Sequence, residues 1–144
     1  MSLAHKNTSP AAPVLVLGVE SSCDETAAAV VRLYGDGQVD VLSSLVASQN
    51  EAHAPYGGVV PEIAARAHMQ KIESMMQGAV ADANLDWGDL DAVAATAGPG
   101  LIGGVITGLM AAKGVALSLD IPLIGVNHLE GHALSPRLTS HTPF

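Results

Sequence analysis

The stretch Val14-Leu15-Val16-Leu17-Gly18-Val19, followed directly by Glu20-Ser21-Ser22-Cys23-Asp24-Glu25-Thr26, decides the fold. Its first half is a short apolar run rich in β-branched residues, which predicts a buried strand. Its second half predicts a tight polar turn that carries two adjacent carboxylates, Asp24 and Glu25. Residues 27–33 and 39–47 predict two further strands, joined by a hairpin turn around Gly35-Asp36-Gly37. The chain therefore opens with an antiparallel meander of three strands.

The rest of the chain alternates helices with buried strands. In order, we expect a helix over residues 61–84, a strand over 92–97, a central helix over 101–119 that is apolar on nearly every side, a buried strand over 123–126 and a helix over 129–138. The order βββαβαβα predicts an α/β lobe built on one mixed five-stranded sheet. We assign residues 1–13 to a disordered leader and residues 14–144 to this lobe.

Composition limits the classes of function. The 144 residues carry a formal net charge of −8 with only six Lys and Arg, which is the wrong sign for a domain that grips a phosphate backbone unaided. The single cysteine, Cys23, excludes an internal disulfide and is typical of a reducing compartment, so we expect a cytoplasmic protein. An uncharged segment over residues 92–112 is long enough to span a bilayer, but Gly98-Pro99-Gly100 interrupts it, and we expect no membrane span.

Two histidines lie four residues apart, at His128 and His132, directly after the last predicted strand. On a helix this spacing places both imidazoles on one face, where they can bind one zinc or iron ion. The alternative is a pair that caps or lines the start of a helix without a metal. A zinc peptidase is disfavoured, because Glu130 follows the first histidine by two residues and so lies about 200° around the helix from it.

The glycines around Pro99 allow two interpretations. Gly100, Gly104 and Gly108 recur every four residues, which favours a stripe where a neighbouring backbone packs closely. Exposed amides at a glycine-rich helix start can also bind an anion, so Gly98 and Gly100 are candidate ligands for a phosphate or carboxylate.

The order of elements is similar to one lobe of the actin, hexokinase and Hsp70 architecture, a ribonuclease H-like fold. Four motifs add to this similarity. In chain order they are Gly18-Val19-Glu20-Ser21-Ser22-Cys23-Asp24-Glu25-Thr26, Tyr56-Gly57-Gly58-Val59-Val60-Pro61-Glu62, Thr96-Ala97-Gly98-Pro99-Gly100-Leu101 and Asn127-His128-Leu129-Glu130-Gly131-His132. Together they resemble the TsaD family of tRNA N6-adenosine threonylcarbamoyltransferases, formerly called glycoproteases.

The resemblance implies an acyltransferase that uses threonylcarbamoyl-AMP, with ATP or ADP as another ligand of the cleft. His128 and His132 would bind the metal, iron or zinc, with an Asp of a second lobe as the third protein ligand. The ion would act as a Lewis acid. The resemblance assigns roles in substrate or phosphate binding to Ser22, Gly98 and Gly100. It assigns a catalytic role to Asp24 and Glu25, which would either accept a proton from the attacking amine or organise the phosphate side. The alternative for these two carboxylates is a solvated turn. Cys23 is expected to be a small buried residue rather than a nucleophile.

The resemblance also implies partners: tRNA, bound through a full complex, a TsaB-like paralogue and a TsaE-like ATPase, with a dimer formed through this lobe. The family's second lobe, and a Gly-rich motif expected just after Phe144, are absent from the sequence, so we expect an amino-terminal fragment that transfers nothing by itself. Two alternatives remain open at this stage. One is a metal-dependent glycoprotein peptidase, and the other is a non-catalytic scaffold lobe of the TsaB type.

Overall fold

A single mixed sheet organises the computed structural model, which describes residues 12–138. The sheet order is β3-β2-β1-β4-β5, in which β1, β2 and β3 are antiparallel neighbours while β4 and β5 run parallel to β1. The predicted meander and the mixed five-stranded sheet are thus confirmed. Nearly all of the predicted leader lies outside the described residues. The strands are β1 (Val14–Glu20), β2 (Glu25–Leu33), β3 (Val39–Ser48), β4 (Ala92–Gly98) and β5 (Leu123–Asn127).

The helices follow the predicted order, with small additions in the connections. A four-residue helix and two short 3₁₀ segments, Ala54–Tyr56 and Trp87–Asp89, were not predicted, because single turns carry no periodic signal. The helix predicted over residues 129–138 is α-helical only to Leu134 and continues as a 3₁₀ segment, Ser135–Leu138. Helix α2 begins at Pro61. Proline is favoured at the first helical position because the N–H that it lacks would have no hydrogen-bond partner within the helix there. The helices are α1 (Asn50–His53), α2 (Pro61–Asp82), α3 (Ile102–Leu119) and α4 (His128–Leu134).

The main core lies between one face of the sheet and helices α2 and α3. Leu17 and Val19 of β1 point into it, together with Ile72 and Met76 of α2. The intervening residues of β1 lie on the opposite face, where an apolar cavity of about 360 Å³ borders small residues such as Gly18. The predicted buried strand is therefore fully covered only on its helix-facing side.

Helix α3 and strand β5 are also less buried than their composition indicates. One face of α3 is exposed, with Ile102 at 73% and Leu117 at 72% of full exposure, and β5 is an edge strand whose Ile124 is 47% exposed. The predictions of a central helix and a buried last strand are wrong for this reason. By length and composition alone α3 could cross a membrane, a property that it shares with core helices of soluble proteins. Its buried face packs on β4 and α2.

Candidate active site

The carboxyl ends of β1, β4 and β5 meet at one edge of the sheet and bring distant residues together. Glu20 ends β1, Thr96 lies near the end of β4, and His128 follows β5 directly. In open α/β sheets ligands gather at this edge. A cavity of about 330 Å³ opens there, lined by Glu20, Cys23, Asp24, Glu25, Thr96, His128, Gly131 and His132.

The histidine pair has the geometry that a shared metal ion requires. The Asn127 side chain caps α4 by accepting hydrogen bonds from the amides of Leu129 (2.9 Å) and Glu130 (3.3 Å), which starts the helix at His128. The Nε2 atoms of His128 and His132 are 3.1 Å apart, with ring planes at 88°. Two imidazole nitrogens on one zinc ion, each about 2.0–2.1 Å from it, would be separated by roughly 2.9–3.4 Å. The pair therefore fits one ion.

The environment of His128 leaves its Nε2 atom available as a ligand. Its Nδ1 atom lies 2.9 Å from Ser22 Oγ and 3.4 Å from Glu20 Oε2. With the proton on Nδ1, directed at a carboxylate, Nε2 carries the lone pair, an arrangement that recurs in metal sites. Within residues 12–138, no group of three or more His, Cys, Asp and Glu side chains is placed to hold a metal, so two nitrogens are what this part of the chain offers.

Glu20 is a carboxylate held at the back of the cavity. It accepts hydrogen bonds from Thr96 Oγ1 and from the Ser22 amide. Burial by itself would raise the pKa of Glu20, but the hydrogen bonds from Ser22, Thr96 and His128 outweigh burial and lower the pKa below its usual value. Glu20 and Thr96 were not among the predicted site residues. The position of Glu20 at the end of the first strand was the signal that could have identified it.

Asp24 and Glu25, to which the resemblance assigns a catalytic role, share this cavity with the two histidines. Asp24 is partly buried and Glu25 is exposed. Cys23 lies between them and the end of β1, and its exposure contradicts the prediction of a buried residue, because the turn directs the side chain outward. Partial burial, with the neighbouring Asp24 carboxylate, raises the pKa of the Cys23 thiol, which disfavours a nucleophilic role.

The predicted phosphate-binding residues lie beside the cavity rather than in its lining. Ser22 is buried, and its hydroxyl contacts His128. A Cβ atom added at Gly100 would lie 2.6 Å from Ser22 Cβ, so the polar turn can lie this close only because the residue is a glycine. Gly98 has a φ of +126° next to a cis bond to Pro99 and has open space around it. A ligand role for these three residues stays a prediction.

The glycine stripe of α3 packs against the polar turn, which confirms the packing interpretation. A Cβ at Gly104 would collide with the carbonyl oxygen of Ser21, and one at Gly108 with its hydroxyl. Ser21 Oγ in turn donates a hydrogen bond to the carbonyl of Gly104 (2.8 Å). The turn that carries the carboxylates is thus seated directly on the backbone of α3.

Glu130, the residue that would act as the general base of a peptidase, does not line the cavity. Its side chain is exposed on α4, and the residues of that helix that line the cavity are His128, Gly131 and His132. The position of Glu130 therefore agrees with the helical geometry that disfavoured a peptidase.

Known proteins similar to this chain include close relatives in sequence. The family model described as TsaD, tRNA N6-adenosine threonylcarbamoyltransferase, matches residues 40–144. A protein of that name from Ruegeria sp. is 62% identical over 124 residues, which are 86% of this chain and 34% of the relative. Another from Maricaulis maris is 59% identical over 140 residues, 95% of this chain and 37% of the relative. The chain thus spans about a third of the length of these relatives.

Solved structures support the fold. YeaZ from Pseudomonas aeruginosa superposes with a TM-score of 0.63 at 20% identity, covering 86% of this chain and 50% of that one. RuvC from T. thermophilus, solved with a Holliday junction substrate, superposes with a TM-score of 0.54 at 16% identity, covering 86% and 73%. These likenesses confirm the actin-like, ribonuclease H-like α/β class. The match to the family model and the identities near 60% show that the chain belongs to the TsaD family of tRNA N6-adenosine threonylcarbamoyltransferases.

Proposed function

We propose that this chain forms one wall of the active site of an enzyme that transfers the threonylcarbamoyl group from threonylcarbamoyl-AMP to N6 of the adenosine next to the anticodon of tRNA. Membership of the family and the names of the relatives support the reaction. The observation that carries the proposal is one cavity in which two imidazole nitrogens 3.1 Å apart share a lining with Asp24 and Glu25. An acyl transfer needs both an electrophile-binding group and a proton acceptor.

His128 and His132 would hold one divalent ion, iron or zinc, through their Nε2 atoms. Such an ion, when bound, supplies Lewis acidity toward the carbonyl or carboxylate oxygen of the threonylcarbamoyl group. Ser22 and Glu20 would keep the His128 ring in the required tautomer through Nδ1. A third protein ligand, an Asp, would come from outside the described residues.

Asp24 and Glu25 would act on the proton of the attacking amine. In the transfer, N6 of adenosine forms a bond to the carbamoyl carbon, the bond from that carbon to the phosphate oxygen breaks, and AMP leaves. The proton lost from N6 passes to a carboxylate of Asp24 or Glu25, both of which line the cavity. Ser22, Gly98 and Gly100 would lie on the phosphate side, where ATP or ADP would also bind.

Partners would supply what this acidic lobe lacks. A net charge of −8 leaves most contacts with the tRNA phosphates to other surfaces, and we place the reaction in the cytoplasm. The exposed apolar face of α3, formed by Ile102, Ile106, Met110 and Leu117, would bind a TsaB-like paralogue. A TsaE-like ATPase would join the same complex.

Metal binding tests the histidine pair directly. Titration of the chain with Zn²⁺ or, without oxygen, with Fe²⁺ should show one ion per chain, and His132→Ala should abolish this stoichiometric binding. Glu130→Gln is the matched control, because Glu130 lies on the same helix, is exposed and does not line the cavity. Equal binding by His132→Ala and Glu130→Gln would overturn the assignment of the metal ligands.

Activity is best tested in a chimera in which residues 14–138 replace the matching segment of the Ruegeria relative. With threonylcarbamoyl-AMP and tRNA, we expect the chimera to modify adenosine, Asp24→Asn and Glu25→Gln to slow it, and the 144-residue chain to transfer nothing. An inactive chimera that is folded and binds metal would overturn the proposed reaction. Transfer by the 144-residue chain would overturn the claim that it forms only one wall of the site.

A further inference from the structure

A buried polar cluster lies directly behind the turn that carries Asp24 and Glu25. Its members are Thr26, Gln49, His53 and His68, contributed by β2, the connection after β3, α1 and α2. All four are nearly inaccessible, with exposed fractions of 0%, 2%, 4% and 0% in that order. Buried polar groups are retained where every donor and acceptor is satisfied, and within the described residues no buried side-chain polar atom lacks a partner. We call these four residues the clamp.

The hydrogen-bond partners within the clamp indicate which ring nitrogen of each histidine carries the proton. The carbonyl of Cys23 can only accept, so His68 Nε2, 3.1 Å away, carries the proton and donates it. His68 Nδ1 is then an acceptor, with Thr26 Oγ1 at 2.8 Å and Gln49 Nε2 at 3.2 Å as its donors. Gln49 Oε1 accepts from His53 Nε2 at 3.1 Å, while the Val60 amide donates to His53 Nδ1. Both histidines are neutral in this arrangement.

The contacts of the clamp fall on each side of the two carboxylates. The His68 ring bonds the carbonyl of Cys23, just before Asp24, and the hydroxyl of Thr26, just after Glu25. The backbone amide of Gln49 donates to the carbonyl of Asp24 itself at 3.1 Å. Three of the four residues from Cys23 to Thr26 are therefore held through His68 and Gln49.

The His68 ring is itself held in one orientation. On α3, a Cβ added at Gly104 would lie 3.2 Å from His68 Nε2 and 3.3 Å from Cδ2, so the ring packs against the helix backbone. Neither His68 nor Gln49 lines the cavity or contacts the paired histidines His128 and His132. Their effect on chemistry in the cavity must therefore pass through the turn.

We propose that His68 and Gln49 are positioning residues that set where the Asp24 and Glu25 carboxylates stand relative to the reacting amine. The inference rests on the proposed function, in which those carboxylates accept a proton. Proton transfer requires hydrogen-bond distance in the reacting complex, and a misplacement of about 1 Å can cost on the order of 100-fold in rate. A turn without its clamp would keep its carboxylates but lose their placement.

The experiment compares His68→Leu with His68→Gln in the chimera defined above. The leucine removes both hydrogen bonds to the turn, whereas glutamine retains an amide donor for the Cys23 carbonyl. We expect His68→Leu to lower kcat by roughly 10- to 100-fold with metal affinity unchanged, and His68→Gln to recover part of the loss. Gln70→Leu, on the exposed side of α2, is the control for a leucine on this helix and should leave kcat unchanged.

A double-substitution cycle separates positioning from general loss of structure. In a background of Asp24→Asn and Glu25→Gln, adding His68→Leu should cost little more, because no carboxylate remains to be placed. A full additional loss in that background would overturn the proposal. Thr26→Val, which removes one hydrogen bond without opening a cavity, should show the same pattern with a smaller loss of kcat and serves if the leucine variant does not fold.

Amide hydrogen exchange distinguishes failure of this proposal from failure of the proposed function. His68→Leu should speed exchange of the Gln49 amide, which donates to the Asp24 carbonyl, while the amides of β4 stay protected. This result in an inactive chimera would refute the reaction but support the clamp. Unchanged exchange of the Gln49 amide would overturn the clamp whatever the activity.

Discussion

Gly104→Ala should destabilise the protein even though alanine is the better helix former. A Cβ atom at this buried position of α3 would collide with the Ser21 carbonyl oxygen and lie 3.2 Å from His68 Nε2. Neither neighbour is the free end of a flexible side chain, because one is backbone and the other is a ring held by hydrogen bonds on both sides. Overpacking of this kind costs about 1–3 kcal/mol, against a gain of about 0.5–1 kcal/mol from replacing a glycine inside a helix.

Gly114→Ala is the matched control in the same helix. Gly114 is exposed, and an added Cβ would meet nothing within 4 Å, so this variant should be stabilised by about 0.5–1 kcal/mol. Both variants gain the same propensity, so the difference between them, about 1–3 kcal/mol, isolates the collision with the turn. Urea denaturation measures this difference as a shift of the midpoint, provided that the slope m of the unfolding free energy against urea concentration is the same for both variants. Equal midpoints for the two variants would show that the turn does not rest on α3 as described.

Three further predictions concern the pH response, the metal site and the exposed helix. Burial lowers the pKa of His68 below 6.5, so as the pH falls the imidazole is protonated in the unfolded chain before it is protonated in the folded one. The free energy of unfolding should therefore decrease as the pH drops from about 6.5 toward the lowered pKa, by at most about 1.4 kcal/mol per pH unit. Denaturation experiments across this range should show a smaller decrease for His68→Gln. Glu20→Gln should weaken metal binding about 10- to 100-fold by removing the carboxylate behind His128, as titration would show, and an unchanged affinity would contradict that role. Ile106→Asp, at a position 52% exposed, should alter stability by no more than about 0.5 kcal/mol yet weaken binding to the TsaB-like paralogue in sedimentation experiments. Binding equal to that of the parent would refute an interface on this face of α3.

The fold was predictable because its signals are local. The β-branched run before Glu20 and the hairpin turn after Leu33 indicated the meander, and observed strand ends differ from the predicted ones by no more than two residues. The histidine pair was predictable for the same reason, since a spacing of four residues on a helix brings two rings together wherever the helix lies. Short helices such as α1 escaped prediction because one turn holds no period.

Residues far apart in the chain could not be brought together by pattern alone. Glu20 contacts His128 across 108 positions, and His68 reaches the Cys23 carbonyl across 45. His68 sits in the amphipathic pattern of α2 as one more polar residue on a helix, with nothing in its sequence neighbours to indicate burial among hydrogen-bond partners. The exposure of Cys23 likewise depends on which way the turn faces.

By itself the sequence determined the order of helices and strands, the placement of polar side chains directly after β1 and β5, and the spacing of the two imidazoles. Each of these depends on backbone periods that a few adjacent residues set. The tertiary structure alone decided that Ser21 fills the gap left by Gly104 and Gly108, that one face of α3 stays exposed, and that His68 holds the turn from behind. Those outcomes arise from packing between segments, where shape and hydrogen-bond satisfaction select among arrangements that the local pattern leaves equal.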